Sequence, residues 1–204
     1  MSTRGNASVA FFDRQFRIQI DAADYTLNPF ETAALPYLQG EVLDLGCGLG
    51  NLAIAAARQG ARVTALDACA TAVDNLARRA HEAGLDIAAD AADLRDWRPN
   101  RKWDAVACIG LLMFFPPQAA RAGLAAVRDA VRPGGVAAVN VLVEGTTFLG
   151  MFDPSGHCLF EEGELARTFA GWTSLHAATD VFPAPGGRVK RFETLIARRL
   201  PTSP

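Results

Sequence analysis

The sequence predicts an α/β protein built around a mainly parallel β-sheet. From residue 41 onward, short apolar runs alternate with helical stretches, which is the order expected of successive strand–helix units. Half of the 204 residues are hydrophobic and 21% are charged, so the chain has enough apolar side chains for a large core. One domain of ordinary size accounts for this length. We therefore expect a single domain over residues 1–204.

Local signals place the core elements in order along residues 41–143. Runs of apolar residues mark the strands, whereas apolar residues spaced three or four apart mark the helices. Gly60 and Gly84 are expected to end the first two of these helices. The predicted elements are a strand at 42–45, a Gly-rich turn at 46–50, a helix at 52–59, a strand at 62–67, a helix at 71–83, a weak strand at 86–90, a strand at 103–109, a helix whose apolar face includes Leu124, Val127 and Val131, and a strand at 136–143 after a stop signal at 132–135.

Two segments outside this core are expected to cover one edge of the sheet. Residues 1–40 contain a predicted helix at 14–20 and a loop at 21–30, and residues 144–160 form a Gly-, Phe- and Pro-containing excursion. Ligands of open α/β sheets bind beyond the carboxyl ends of the strands, so we expect both segments to form a lid there. The remainder of the acceptor-side region, 144–200, is predicted to contain a helix at 161–169 and an antiparallel hairpin of strands 172–181 and 188–198 around a turn at 183–187.

Composition excludes several classes of function. Twenty basic and 22 acidic residues give a net charge of −2, which lacks the positive footprint of nucleic-acid or anionic-membrane binding. No run reaches the roughly 18 apolar residues of a membrane span, the first residues lack the apolar region of a signal peptide, and the four cysteines form no CxxC pair. We expect a cytoplasmic monomer or homodimer whose partner is a small molecule, with no nucleic acid and no membrane.

A glycine-rich turn follows the first predicted strand directly, in the sequence VLDLGCGLGN at 42–51. Glycines let the backbone turn tightly and approach a ligand, and free N–H groups at the start of the next helix favour a negative group such as a carboxylate. About 20 residues later, Asp67 ends the second strand, a position from which a carboxylate accepts hydrogen bonds from ribose hydroxyls. The pattern predicts a nucleoside-containing cofactor.

Both NAD and S-adenosylmethionine (SAM) fit this general pattern, and the spacing of the glycines favours SAM. A pyrophosphate is normally met by GxGxxG, whereas this turn reads GxGxG and is preceded by Asp44. An acid at that point would repel a pyrophosphate but suits the ammonium group of a methionine moiety and a nearby sulfonium cation. The predicted cofactor is therefore SAM, with S-adenosylhomocysteine (SAH) as the product.

Later motifs give the chain a resemblance to class I SAM-dependent methyltransferases over roughly residues 40–145. Asp93-Leu94 follows the third predicted strand, and the segments at 103–106 and 132–135 fall where this family carries its fourth strand and the turn into its fifth. Beyond the core, the chain resembles the tellurite-resistance (TehB-like) branch, through the segments 112–114, 160–165, 171–172 and 192–198.

This resemblance implies the architecture and the cofactor site. The implied fold is a Rossmann-like, doubly wound, seven-stranded, mostly parallel sheet with the last strand antiparallel and helices on both faces. The implied reaction transfers a methyl group to a small acceptor. The cofactor residues expected from the resemblance are Asp44, Gly46, Cys47, Gly48, Asp67, Ala68, Asp93 and Leu94. We also assign Ile109, at the end of the fourth strand, and Tyr25, as a lid aromatic near the sulfonium, to this site.

Candidates for catalytic residues lie in the acceptor-side region. A neutral acceptor would need a general base, for which His157 and His176 are candidates, and Arg188 is a candidate for binding an anion. Arg188 is the one basic residue in the loop before the final strand, where TehB-like proteins tend to carry His and Arg, so the sequence does not favour tellurite as the natural acceptor. His157 and Cys158 lack partners at ligand spacing, and no metal is predicted.

Two other functions are compatible with the pattern. An NAD-dependent oxidoreductase would bind NADH rather than SAM, and a non-catalytic SAM-binding module would bind SAM without turnover on any acceptor. The sequence favours a SAM-dependent methyltransferase that acts on a thiol, a chalcogen oxyanion such as tellurite or selenite, or another small nucleophile.

Overall fold

The computed structural model describes residues 7–153 and 156–201, in which a seven-stranded sheet is flanked by helices. Residues 1–6, 154 and 155 of the two predicted lid segments lie outside the described residues. The helices are α1 (Ala7–Asp21), α2 (Pro29–Ala34), α3 (Asn51–Arg58), α4 (Ala70–Glu82), α5 (Pro117–Ala130) and α6 (Glu164–Thr168). The strands are β1 (Glu41–Leu45), β2 (Arg62–Asp67), β3 (Ile87–Ala91), β4 (Trp103–Ile109), β5 (Val131–Leu142), β6 (Thr173–Ala184) and β7 (Arg188–Arg198).

The order of strands in the sheet is β3-β2-β1-β4-β5-β7-β6, which confirms the predicted fold class. Strands β1 to β5 are mutually parallel, whereas β7 runs antiparallel to both β5 and β6. The chain winds outward in one direction from β1 to β3 and in the other from β4 to β5. The point of reversal lies between β1 and β4, and the carboxyl ends of these strands therefore frame a crevice.

Alternating strand residues fill two hydrophobic layers, one on each face of the sheet. Val42 of β1 packs with Leu52 of α3 and Leu76 of α4, whereas Leu43 packs on the opposite face with Leu124 of α5. The predicted helices on both faces are thus confirmed, because each central strand buries both of its faces. None of the described helices combines the length and the apolarity needed to cross a membrane.

Some predicted boundaries are wrong. Helix α1 begins at Ala7 instead of 14, a second helix begins at Pro29 inside the predicted loop, and α6 is shorter than the predicted 161–169. Val131 belongs to β5 and not to the preceding helix, since it pairs with Trp103 of β4. The segment at 132–135, which was expected to end the helix and precede the strand, lies inside β5, and the register between β4 and β5 shifts there.

The glycine-rich turn is shaped by its contact with α4. Gly50 is the N-cap of α3 and has φ +71°, a left-handed conformation. A Cβ at this position would lie 2.7 Å from Leu76 Cγ of α4, which is buried. Only glycine fits both the conformation and the space.

We predict that Gly50→Ala destabilises the fold by about 2–5 kcal/mol, the sum of left-handed strain and overpacking. Gly84→Ala is the matched control, because Gly84 also has a left-handed φ (+62°) but nothing within 4 Å of an added Cβ. This control should lose only the strain, about 1–2 kcal/mol. Urea unfolding measures both values, and equal losses would contradict the packing role of Gly50.

Candidate functional site

A cavity lies at the crevice between the two halves of the sheet, beneath α1. The turn after β1 contributes Gly46, and the segments after β2 and β3 contribute polar groups of the lining. Residues after β4 and the inner side of α1 form the remaining wall. Five of the predicted cofactor residues are brought together in this lining: Gly46, Asp67, Ala68, Asp93 and Leu94.

Backbone hydrogen bonds fasten the glycine turn to the end of β2. The N–H groups of Gly46 and Cys47 both donate to the carbonyl oxygen of Leu66, at 2.8 and 3.1 Å. Gly46 has φ +73°, and a Cβ there would lie 2.9 Å from Leu111 Cβ. The bare backbone therefore lets the turn and the segment after β4 approach each other at the base of the cavity.

Asp67 is held rigidly at the end of β2. Its Oδ2 accepts from the N–H of Gly48 at 2.9 Å, and its Oδ1 accepts from the N–H of Cys69 at 2.8 Å. Burial raises the pKa of this carboxyl, and the backbone hydrogen bonds oppose that rise. Each oxygen accepts one of these bonds and retains capacity for a second donor. The carboxylate is thus positioned to accept hydrogen bonds from a ligand.

Asp44 lies under the same turn and is almost fully buried, with 4% of its surface exposed. Its Oδ2 has no hydrogen-bond partner. Burial raises the pKa of Asp44 to about 8, with further contributions from the negative charges of Glu31 and Asp67. Asp44 is not among the residues that line the described cavity, but a buried carboxyl oxygen without a donor is costly, so this position suits a ligand that carries positive charge.

Glu31 is a second acid near Asp44 that sequence reasoning missed. Asn28 and Glu31 form a capping box at the start of α2: the Asn28 side chain accepts from the Glu31 N–H at 2.9 Å, and the Asn28 N–H donates to Glu31 Oε2 at 2.8 Å. Burial raises the pKa of Glu31. The sequence does carry the signal, because an Asn followed three residues later by Glu is a helix-start pattern.

Asp93 lines the cavity as half of an ion pair. Arg95 Nε donates to Asp93 Oδ1 at 2.9 Å, and Arg95 Nη2 binds Asp93 Oδ2. The hydrogen bond from Arg95 lowers the pKa of Asp93, so this carboxylate is charged at neutral pH. The neighbouring Leu94 is buried and supplies an apolar surface to the same part of the cavity.

The other predicted cofactor residues have different surroundings. Arg79 stacks on Tyr25, with its guanidinium carbon 3.5 Å from the ring centroid, so a protein cation already occupies one face of this ring. Ile109 packs against hydrophobic clusters of the sheet. Cys47 is buried, and burial raises the pKa of its thiol well above the usual value, which makes it a poor nucleophile.

Two of the three catalytic candidates are held by contacts in the acceptor-side region. His157 stacks on Phe152, with ring centroids 4.4 Å apart and an angle of 8° between the rings. Arg188 donates from Nε to the carbonyl oxygen of Pro185 at 3.1 Å, and its guanidinium lies 5.2 Å from the Phe148 ring centroid. Neither side chain is part of the described cavity lining.

The register of the sheet shows that His176 is remote from the cavity. Asp44 pairs with Ala107, Ala107 with Ala138, Ala138 with Ile196, and Ile196 with His176. His176 therefore lies four strands from Asp44, about 19 Å away at about 4.8 Å per strand. Its side chain is exposed on the edge strand β6. The structure does not bring this residue into the site.

Aromatic residues of the cavity are the main feature that sequence reasoning did not assign. Phe12 and Phe16 of α1, together with Phe114 and Phe115 after β4, line the same cavity as the strand-end acids. Phe12 and Phe16 are four residues apart, which places them on one face of a helix. This spacing can be read from the sequence, whereas the residues that this helix face contacts cannot.

Comparison with known proteins agrees with this geometry. Residues 42–135 match the family model described as a methyltransferase domain. TehB from Haemophilus influenzae superposes with a TM-score of 0.72 at 20% identity, covering 85% of this chain and 62% of that one. The chain resembles class I SAM-dependent methyltransferases. A structure of DhpI in complex with SAH has a TM-score of 0.58 at 26% identity and covers 95% of this chain and 97% of that one.

A curated O-methyltransferase is a relative of this chain. The ubiquinone biosynthesis O-methyltransferase of Xylella fastidiosa is 27% identical over 164 residues, which are 72% of this chain and 66% of that protein. The chain thus spans just under two thirds of the length of this relative. The SAM cofactor predicted from the sequence is consistent with these similarities. Within the described residues, no group of three or more His, Cys, Asp or Glu is arranged to hold a metal ion.

We predict that the unliganded chain loses stability as the pH rises from about 4 to about 8. The pKa of Asp44 is raised from 3.8 to about 8 in the folded state, so over this interval the folded chain retains a proton that the unfolded chain has released. The free energy of unfolding should therefore fall with pH, by at most about 1.4 kcal/mol per unit from this group.

Urea unfolding of the wild type and of Asp44→Asn at several pH values isolates this contribution. The Asn side chain does not titrate, so the stability of the variant relative to the wild type should increase up to about pH 8 and then level off. Parallel pH profiles for the two proteins would contradict the raised pKa.

Proposed function

We propose that this chain is a SAM-dependent methyltransferase that transfers a methyl group to a small-molecule acceptor. The single observation that carries the proposal is the buried, unpartnered Oδ2 of Asp44 beneath a glycine turn. No basic side chain of the described residues forms an ion pair with Asp44, and a ligand ammonium would satisfy it. The methionine moiety of SAM has such a group.

The remaining polar groups fit the other parts of SAM. Asp67 would accept hydrogen bonds from the two ribose hydroxyls, because both of its oxygens are fixed and each can accept a further donor. Asp93 and Leu94 would lie beside the adenine, where a carboxylate and an apolar surface suit an amino-substituted ring. Gly46 leaves the base of the cavity free of a side chain.

Bound SAM supplies an activated methyl group on a sulfonium, whose leaving group is a neutral thioether. The contribution of this chain is to align the acceptor with that methyl group and to exclude water, which together are worth about 7–11 kcal/mol in well-oriented reactions. Helix α1 performs the exclusion in this proposal, because its residues Phe12 and Phe16 cover the cavity. Cys47 has no part in the chemistry, because a buried thiol with a strongly raised pKa is not a nucleophile.

We also propose a division of labour along the chain. Residues 41–143 would hold SAM, and residues 1–40 and 144–200 would form the lid and the acceptor side of one methyltransferase domain. A hydrogen bond from the N–H of Asp153 to Ser8 Oγ, at 3.0 Å, supports this arrangement, because it joins the two flanking segments next to the cavity. The net charge of −2 supports a small-molecule acceptor over nucleic acid.

We predict that isothermal titration calorimetry detects binding of SAH and no binding of NADH. Asp67→Asn should weaken SAH binding about 10- to 100-fold, since it removes charged hydrogen bonds to the ribose hydroxyls. Asp180→Asn is the matched control: it removes the same charge from β6, at the far edge of the sheet, and should leave the affinity unchanged.

Transfer of label from methyl-tritiated SAM into small molecules of a cell extract tests the catalytic part of the proposal. Label in low-molecular-weight material, lost with Asp67→Asn, is the expected outcome. Binding of SAH without any transfer would indicate a non-catalytic SAM-binding module, and binding of NADH in place of SAH would indicate an oxidoreductase. Label in protein or nucleic acid would contradict the small-molecule class.

A further inference from the structure

One wall of the cavity is built from phenylalanine rings. Phe12 meets Phe114 edge-to-face with centroids 5.0 Å apart, and Phe16 lies 5.8 Å from Phe12. Behind them, Phe152 lies 5.2 Å from Phe114 and is almost fully buried. The wall is therefore a packed aromatic layer rather than a set of separate side chains.

Hydrogen bonds hold α1, and with it this wall, in place. The Ala7 N–H donates to Asp153 Oδ2 at 2.6 Å, and Ser8 Oγ donates to the carbonyl oxygen of Met151 at 3.3 Å. Ser8 is buried although it is polar. These contacts join residues about 145 positions apart, and they fix the first turn of α1 over the cavity.

The charged groups of the described lining are already engaged. Asp67 accepts two backbone hydrogen bonds, and Arg95 forms a two-pronged ion pair with Asp93. Arg95 is the one basic side chain in the described lining, and its pairing with Asp93 neutralises it. An oxyanion that entered this cavity would lose its hydration without gaining a free cation from the described lining, so the sulfonium of the donor would be its one cationic partner there.

We propose that the acceptor site takes an uncharged aromatic or heteroaromatic molecule, and that it rejects oxyanions such as tellurite. This inference rests on the proposed methyltransferase function and narrows its substrate class. A flat ring fits between the phenylalanine wall and the donor through offset or edge-to-face contacts with Phe12 and Phe114. The layer also excludes water from the path of the methyl group.

The transfer needs no group of the chain as a base when the acceptor atom is a neutral nitrogen with a free lone pair, whereas a hydroxyl or thiol acceptor would need one. The lone pair of the nitrogen forms the new bond to the methyl carbon while the carbon–sulfur bond of the donor breaks. The bonding electrons remain on sulfur, which gives neutral thioether SAH. A proton carried by the acceptor atom passes to water. His157 takes no part, because it is stacked behind Phe152.

Binding of matched probes to the SAH-saturated chain tests the inference. Quinoline serves as the uncharged probe, a quinoline carboxylate of the same ring size as the anionic probe, and sodium tellurite as the inorganic oxyanion. We expect the wild type to bind quinoline at least about tenfold more tightly than either anion, because of the unfavourable transfer of a charge into an apolar cavity.

Two variants at Phe12 distinguish a contact between the aromatic wall and the probe from a general effect on the stability of the chain. Phe12→Ala should weaken quinoline binding about tenfold, and more than it weakens SAH binding, through loss of the edge-to-face contact. Phe12→Lys should reverse the preference toward the carboxylate probe by adding a cation. Trp172→Ala is the control, because Trp172 packs with Phe169 at the end of the sheet where Thr173 pairs with Arg198, away from the cavity, and it should leave all affinities unchanged.

Three outcomes would overturn the inference while leaving the methyltransferase proposal intact: tighter binding of tellurite or the carboxylate than of quinoline, failure of all three probes to bind the SAH-loaded chain, or methylation of tellurite with no methylation of aromatic molecules. Failure of SAH itself to bind is a separate result, and it would refute the proposed function from which the inference starts.

Discussion

The site depends on a buried carboxyl group that the chain itself does not neutralise. Asp44 lies in a central strand with 4% of its surface exposed, and its Oδ2 has no partner. A core optimised only for stability would carry an apolar residue there, because an unsatisfied buried acid destabilises the fold. Such a conflict between local environment and residue type is expected at functional positions, where a ligand resolves it.

The contacts around Asp44 prevent the glycine turn from supplying a hydrogen-bond donor to this carboxyl. The glycine turn is fastened to Leu66, Asp67 fixes Gly48, and Gly50 fits tightly against α4. Because these contacts come from the backbone and from a packed core, the turn cannot relax toward Asp44 and donate to it at low cost. Rigidity of the turn therefore leaves Asp44 Oδ2 without a donor from the turn, and it fixes Asp67 at the end of the neighbouring strand.

Sequence reasoning succeeded where the signal is local and failed where partners are distant in the chain. Asp67 and Gly46 could be placed because a strand, a turn and a helix follow one another within a few residues, and parallel strands bring their ends to one edge. Phe12 contacts Phe114, about 100 residues away in the sequence, and Tyr25 contacts Arg79, more than 50 residues away. The periodicity of the sequence does not indicate such distant pairs. The remoteness of His176 follows from sheet order, which also required the structure.

In the proposed reaction, the donor side and the acceptor side involve parts of the chain that differ in their similarity to other proteins. The segment that matches the methyltransferase family, 42–135, contains Asp44, Asp67 and Asp93. Phe12 of the aromatic wall belongs to α1, outside that match, and Ser8 ties α1 to the segment after β5. Phe114 and Phe115 of the wall lie inside the matched segment, but the similarity does not define the acceptor, since a shared fold does not transmit specificity that also depends on a flanking helix. The acceptor has to be inferred from the wall itself, and the wall is aromatic and uncharged.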